Sequence, residues 1–157
     1  MGLFLEELSV GQRFVSRDYP VTAEAIKAFA AEFDPQPFHT DEAAARESFF
    51  GELVASGWHT AAITMRLLTE GALPLAGGAI GAGGELGWPQ PTRPGDVLTA
   101  ESAIEAIRPS RSRPDRGMLT VRTETRNQRG EVVQVLISKV LAFRRPGESD
   151  HSGGRPS

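Results

Sequence analysis

The segment from residue 56 to about residue 70 constrains the fold most, because it is predicted to be a helix with apolar side chains on nearly every side. Ser56-Gly57 is typical of a helix start, and Gly71 followed by Pro74 is typical of a helix end. The apolar residues cover most of the helix circumference: Ala61, Ala62, Ile63, Met65, Leu67 and Leu68. The predicted polar stripe is narrow: His59, Arg66 and Glu70. A helix with this pattern is normally central and buried, so we expect other elements to surround it.

The chain after this helix alternates between apolar and polar residues in the manner of a β-sheet. One strand face is predicted from alternate residues: Leu98, Ala100, Ser102, Ile104 and Ala106. A half-buried strand is predicted from Leu119 to Arg126, followed by a hairpin turn over Asn127–Gly130. The run Val132–Phe143 is apolar at almost every position and predicts an interior strand.

The glycine-rich passage 77–84 follows a helix and leads into strands. A dinucleotide-binding loop has the reverse order and a different glycine spacing. We therefore interpret these glycines as small residues where a strand runs close beside the helix or bends tightly.

The first third of the chain is predicted to place an acid and an imidazole in a stiff loop. A short strand is expected from Val10 to Asp18, before a helix that Thr22 caps and Asp34 ends. Because Pro35 and Pro37 restrict the residues before them, the segment that follows should be extended and should present Asp34 and His39 with little freedom. A second helix, 42–47, is then expected to begin at Asp41 as its N-cap.

This loop carries a resemblance to a known family. The run Asp34-x-Gln36-Pro37-x-His39-x-Asp41, followed by Phe50-Gly51 and Val54-Ala55-Ser56-Gly57, resembles the hydratase motif of the MaoC-like dehydratases. That family includes the (R)-specific enoyl-CoA hydratases, and its commoner pattern has Asn where this chain has Gln36. The resemblance extends from about Phe14 to Phe143. It implies an α+β hot-dog domain over residues 1–145, in which an antiparallel sheet wraps around one long helix. The remaining residues, 146–157, are expected to form a disordered tail.

The resemblance also implies an activity, the reversible hydration of a trans-2-enoyl-CoA to an (R)-3-hydroxyacyl-CoA. Asp34 and His39 would be the catalytic pair, and the backbone N–H of Gly57 at the helix start would suit the enolate oxygen. Further candidates for substrate contacts are Gln36, Phe38, Ser56, Trp58 and Arg93. No metal and no dissociable cofactor are expected, because coenzyme A enters as part of the substrate. The family pairs two sheets edge to edge, so a homodimer with the acyl-thioester tunnel at its interface is expected.

Each candidate residue also has a simpler interpretation. Asp34 alone is typical of a helix-terminating aspartate, His39 of a packed or solvent-facing imidazole, and Gly57 of a plain helix-start glycine. It is their combination that favours chemistry. His59 is assigned to the polar stripe, and an iron site built on His39 and Asp41 is disfavoured because Asp41 is expected to be a cap.

Other functions remain open on the same fold. A thioesterase would use one carboxylate to activate water against the carbonyl carbon, and a binding protein would hold the acyl thioester without turnover. Several arginines could contact coenzyme A phosphates or simply be solvated: Arg93, Arg108, Arg111, Arg113 and Arg116.

Composition excludes several other classes. The 157 residues have a formal net charge of -3, which argues against a nucleic-acid partner. There is no cysteine, so disulfides, thiolate metal sites and cysteine nucleophiles are excluded. The acidic N-terminus does not resemble a secretory signal, and no apolar run approaches the ~20 residues of a membrane helix. We therefore expect a cytoplasmic protein.

Overall fold

The computed structural model describes residues 2–147, which form one antiparallel sheet with helices packed on it. Residues 148–157, most of the predicted tail, lie outside the described part. The six strands are β1 (Arg13–Val15), β2 (Tyr19–Pro20), β3 (Ile80–Gly87), β4 (Val97–Pro109), β5 (Arg116–Arg126) and β6 (Val132–Phe143). The sheet order is β1-β4-β5-β6-β3, with β2 paired to β4. The predicted α+β arrangement with an antiparallel sheet is confirmed.

Four α-helices precede or separate the strands: α1 (Ala23–Phe33), α2 (Pro37–Thr40), α3 (Glu42–Arg46) and α4 (Gly57–Leu67). Thr22 caps α1 by accepting a hydrogen bond from Ala25 N, and Asp41 caps α3, as predicted. The segment after Asp34 was predicted to be extended, and this is correct only as far as Gln36. Pro37 occupies the first position of the one-turn helix α2, where its fixed φ angle suits a helix and its missing N–H is not needed.

The sequence had suggested that helix α4 is buried on nearly every side. The helix packs on the sheet with one face, and its opposite face is exposed. Its inner face contributes Ile63 and Leu67 to the core, whereas Met65 is 48% exposed. His59 was assigned to a polar stripe, and this is wrong because its side chain is buried. The helix continues beyond Leu67 as a π-helical turn, Leu68–Ala72, so it ends close to the predicted position.

Hydroxyl groups join α4 to β5 and to the segment before β4 inside the core. Thr60 Oγ1 lies 2.9 Å from Thr92 Oγ1, and one turn later Thr64 Oγ1 lies 2.7 Å from Thr125 Oγ1. All four residues are buried. These bonds are directional, so they fix the position of α4 along its own axis as well as its distance from the sheet.

The strand predictions hold with one local error. Leu98, Ala100, Ser102 and Ile104 face the core as expected, but Ala106 is exposed. The register between β4 and β5 shifts between Ile104 and Ala106, which is a β-bulge that turns the following side chains to the other face. The first strand is also shorter than the predicted 10–18, because the chain breaks pairing between β1 and β2.

The glycine-rich passage forms a turn and then the edge strand β3. A bulge interrupts β3 between Gly81 and Gly83, which confirms the predicted bend. The close approach is to β6 and not to the helix, since a Cβ on Gly84 would lie 2.3 Å from the Ile137 carbonyl oxygen. In the part of the chain that the structure describes, β3 pairs only with β6, and its side chains are exposed along nearly its whole length.

Candidate active site

Three segments bring the predicted catalytic residues together. Asp34 ends α1, His39 lies in α2, and the connector before α4 runs past both. Val54 N donates a hydrogen bond to the Phe38 carbonyl at 3.1 Å, which ties this connector to α2. Ala55 N donates a hydrogen bond to the Thr92 carbonyl at 2.8 Å, which ties the connector to the segment between β3 and β4. Asp34 and His39 therefore meet at the start of α4.

The carboxylate and the imidazole face each other. His39 Nε2 lies 3.4 Å from Asp34 Oδ2, and the imidazole is buried. The other ring nitrogen, Nδ1, lies 2.6 Å from the Val54 carbonyl oxygen. Since a carbonyl oxygen only accepts, Nδ1 carries the proton, and in the neutral ring Nε2 is an acceptor directed towards Asp34. A water molecule at ordinary hydrogen-bond distance, about 2.8 Å, can contact both groups at once.

Both oxygens of Asp34 accept further hydrogen bonds. Ser56 Oγ donates to Oδ2 at 2.7 Å, and Gln36 Nε2 donates to Oδ1 at 2.6 Å. Burial alone would raise the pKa of Asp34, but the bonds from Ser56 and Gln36 and the charge of protonated His39 together lower the pKa below its ordinary value. Asp34 is therefore an ionised carboxylate at neutral pH.

Gln36 and Ser56 were predicted to contact substrate, and in the structure both lie against Asp34. The polar groups of both side chains are directed to Asp34. Ser56 is also fully buried and caps α4 by accepting from Trp58 N at 3.2 Å. Gln36, which replaces the commoner Asn, supports the carboxylate directly.

Gly57 is the first residue of α4, where a backbone N–H has no intrahelical acceptor. No hydrogen bond from Gly57 N to another described residue is formed. This amide follows Ser56, which itself contacts Asp34, so a free donor at the positive end of the helix lies beside the acid and the imidazole.

The aromatic candidates lie around this centre. Phe38 packs its ring against His39 with centroids 4.6 Å apart, and against Phe50 at 5.2 Å. Trp58 is 60% exposed and makes an edge contact with Trp88 at 5.2 Å. Trp88 was not predicted to belong to the site, yet its indole lies directly on Gly57.

His59 lies in the first turn of α4, but its side chain makes no hydrogen bond to Asp34 or His39 and packs elsewhere. Its ring stacks on Phe29 with centroids 4.7 Å apart and an interplanar angle of 6°. Its Nδ1 is buried and has no hydrogen-bond partner among residues 2–147. Burial lowers the pKa of His59, so this imidazole is neutral in the folded protein.

The arginine candidates are not gathered at the catalytic pair of the same chain. Arg93 forms an ion pair with Glu52 and lines a separate cavity of about 500 Å³ that neither Asp34 nor His39 lines. Arg108 and Arg111 line another cavity, of about 570 Å³, at the far end of β4. The thirteen residues of β4 place this end about 40 Å along the strand from Val97.

Asp41, which an iron site would need as a ligand, has another role. Asp41 Oδ1 accepts hydrogen bonds from Ala43 N and Ala44 N, so it caps α3. Within residues 2–147 no three His, Cys, Asp or Glu side chains are grouped as metal ligands are. No helix in this part of the chain is long and apolar enough to cross a membrane.

Comparison with known proteins identifies the family. The profile of the FAS1-like dehydratase domain region matches residues 9–135. A MaoC-like dehydratase from Rhodospirillum rubrum is 66% identical, with a TM-score of 0.91 over 92% of this chain and 99% of its own. The protein belongs to the MaoC-like dehydratase family. Its fold is the hot-dog fold of these dehydratases, as the motif around Asp34 and His39 had implied.

Two further relatives extend the comparison. The (R)-hydratase of A. caviae involved in PHA biosynthesis is 29% identical, with a TM-score of 0.72 over 88% of this chain and 98% of its own. YdeM of Bacillus subtilis (strain 168), an uncharacterised protein, is 35% identical over 80% of this chain and 88% of its own length. The family thus supports hydratase or dehydratase chemistry at this site.

Proposed function

We propose that this MaoC-like protein is an acyl-thioester hydratase that adds water reversibly to a trans-2-enoyl-CoA and gives a (R)-3-hydroxyacyl-CoA. The observation that carries the proposal is the 3.4 Å approach of His39 Nε2 to Asp34 Oδ2 beside the free N–H of Gly57. Hydration of a conjugated thioester needs a proton acceptor for water, a proton donor for the α-carbon and a donor for the enolate oxygen. In this proposal His39 meets the first two needs in turn, Asp34 stabilises His39 while it carries the extra proton, and the Gly57 N–H meets the third.

The charges suggest how the work is divided. Asp34 stays ionised because its pKa lies below the ordinary value. A carboxylate with a lowered pKa is a weak proton acceptor. His39 therefore takes the proton from the shared water through Nε2, while hydroxide forms a bond to the β-carbon. The imidazolium is stabilised by Asp34 and by the bond from Nδ1–H to the Val54 carbonyl. The electron pair of the double bond moves to the thioester oxygen, which Gly57 N–H stabilises, and His39 returns its proton to the α-carbon. The atoms of one water molecule are thereby added across the double bond.

The test is turnover of crotonyl-CoA by the wild type and by the variants Asp34→Asn and His39→Gln. Loss of the conjugated-thioester absorbance without release of free thiol indicates hydration, whereas thiol release indicates a thioesterase. Each variant should lower kcat by about 10²–10⁴-fold, the usual contribution of a positioned acid or base. Retained melting temperatures would separate this effect from unfolding. Full activity in both variants would contradict the proposal.

We further propose that the active form is a homodimer joined along β3. The free edge of β3 and exposed apolar side chains beside it suit a second copy, including Ile80 at 48% exposure. Antiparallel pairing of two β3 edges would place the Ile80 end of one chain beside the Trp88 end of the other. Ile80 pairs with Leu141, which lines the same cavity as Arg108 and Arg111. The arginines of the second copy would then approach this catalytic site.

This arrangement gives the arginines a role that they lack in a single chain. The guanidinium groups of Arg108 and Arg111 make no ion pair with another described residue, so they remain available to coenzyme A phosphates. The variant Arg108→Ser should raise KM for crotonyl-CoA and leave kcat unchanged. Arg13→Ser is the matched control, because Arg13 pairs with Glu101 on the opposite edge of the sheet. Equal KM values for the two variants would remove the arginines from the site.

A further inference from the structure

Trp88 packs against Gly57, the residue whose N–H is the proposed oxyanion donor. A Cβ built on Gly57 would be 2.6 Å from both Trp88 Cδ2 and Cε2, and 2.9 Å from Cε3. These atoms belong to the fused part of the indole, so the face of the ring, and not a flexible end, covers the Cα of Gly57. The absence of a side chain at Gly57 is therefore what admits the ring.

Two contacts and one backbone restriction hold the indole there. Trp88 Nε1 donates a hydrogen bond to Gln134 Oε1 at 2.9 Å, and Trp58 packs against the ring from a second direction. Pro89 follows directly and restricts the backbone of Trp88. The indole of Trp88 is therefore held in one position beside Gly57, and we call it the wall.

The burial of Gln134 cannot be explained by its contribution to stability. Its side chain is fully buried in β6, and since an indole N–H only donates, Oε1 must face Trp88. This orientation leaves Nε2 buried without a partner among the described residues. A buried, unpaired donor destabilises a fold, so an apolar side chain of similar volume would suit the core better. What Gln134 supplies is the position of the indole.

We propose that Trp88, positioned by Gln134, limits the size of groups on the α-carbon of the acyl thioester. This inference rests on the proposed function, in which the thioester oxygen bonds to Gly57 N–H. The carbonyl carbon has two neighbours, the sulfur and the α-carbon, and the sulfur is common to all thioesters. A wall against Gly57 therefore distinguishes substrates by their α-substituents, and the unbranched acyl group is the preferred one.

The kinetic test compares crotonyl-CoA with its α-methyl analogue. Removing a wall against one methyl group should change the ratio of kcat/KM values by about 10–200-fold. Trp88→Ala should shift the ratio towards the branched substrate by this amount. Gln134→Met should shift it in the same direction by less, with a melting temperature equal to or above that of the wild type. A purely structural role would change the melting temperature or the oligomeric state and leave the ratio constant, and that result would overturn the proposal.

A binding test measures the effect of the Trp88 wall on acyl-CoA affinity without turnover. In a Trp58→Phe background Trp88 is the only tryptophan, so its emission reports directly on its surroundings. Butyryl-CoA should change this emission, free coenzyme A should not, and the α-branched isobutyryl-CoA should bind at least 10-fold more weakly. Equal binding of the two acyl groups would overturn the wall.

The two tests also separate this inference from the proposed function. If no enoyl-CoA is hydrated but butyryl-CoA is still preferred over isobutyryl-CoA, the hydratase proposal fails and the wall stands. If crotonyl-CoA is hydrated and the substrate ratio is constant in Trp88→Ala and Gln134→Met, the wall fails and the hydratase stands.

Discussion

Ser56 Oγ donates a hydrogen bond to Asp34 Oδ2 at 2.7 Å, and Ser56 Oγ also accepts a hydrogen bond from Trp58 N at 3.2 Å. One side chain thus caps α4 and holds the carboxylate at the end of α1. The start of the helix and the orientation of the Asp34 carboxylate are consequently coupled, and a change at Ser56 should affect both.

The variant Ser56→Ala should raise the pKa of Asp34, because it removes a hydrogen bond to the charged form. The acid limb of the kcat/KM profile should then move to higher pH, since Asp34 must be ionised. Loss of the cap should also cost about 0.5–2 kcal/mol of unfolding free energy.

The control for this prediction is Thr22→Ala, which removes the cap of α1 and no bond to Asp34. It should lower stability similarly and leave the acid limb in place. A similar shift of the limb in both variants would show that the effect comes from lost stability and not from the bond to Asp34.

The contact between Gly57 and Trp88 predicts that Gly57→Ala is destabilising. The new Cβ would displace an indole that Gln134 and Trp58 hold, and such overpacking typically costs about 1–3 kcal/mol. Urea unfolding of a double-mutant cycle with Trp88→Ala measures the coupling. The cost of Gly57→Ala should largely disappear when Trp88 is absent, and an undiminished cost would place its origin elsewhere.

His59 predicts a pH dependence of stability. Burial lowers its pKa in the folded state, so below about pH 6.5 the unfolded state binds more protons than the folded state. Stability is therefore lost as the pH falls through this window, and it is retained above it.

The variant His59→Phe keeps an aromatic ring against Phe29 and removes the titration. Its unfolding free energy should decrease less than that of the wild type between about pH 7 and pH 5. Denaturant unfolding at several pH values measures this difference, and parallel profiles of the two proteins would contradict the prediction.

The buried pair Thr64 and Thr125 predicts a strongly non-additive pair of substitutions. Thr64→Val leaves the Thr125 hydroxyl buried and without its 2.7 Å partner, at a cost of about 1–3 kcal/mol. The double variant Thr64→Val/Thr125→Val removes both hydroxyls and should be more stable than either single variant. Additive losses in thermal or denaturant unfolding would show that the pair is not a unit.

Much of the fold was predictable because its signals are local. Thr22 and Asp41 each precede a helix with the right side chain for a cap, and the alternation from Leu119 to Arg126 follows directly from the pleat of β5. The bulge after Ile104 has no equally local signal, so the inward position of Ala106 was predicted incorrectly. Pro37 was ambiguous because proline is compatible with both an extended segment and the first turn of a helix.

The site was predictable to a different degree. Asp34, His39 and Gly57 were predicted from the resemblance of their motif to that of the MaoC-like dehydratases, and the structure brings their segments together. The partners that orient them are a backbone carbonyl, at Val54, and side chains that the sequence had assigned to substrate contacts, Ser56 and Gln36. His59 was placed on the wrong side of α4 because its stacking partner, Phe29, lies thirty residues earlier. The contact between Trp88 and Gln134 spans an even longer separation, and no pattern along the chain announces it.

The outer strand β3 has glycine at four of its eight positions, and Glu85 is its one charged residue. Proteins normally protect such a border with charged or bulky groups, since bare backbone recruits any extended chain that it meets. In the proposed homodimer the second copy covers this edge, so a substitution that only weakened the dimer would expose it. We therefore expect such a variant to aggregate and not to accumulate as a soluble monomer.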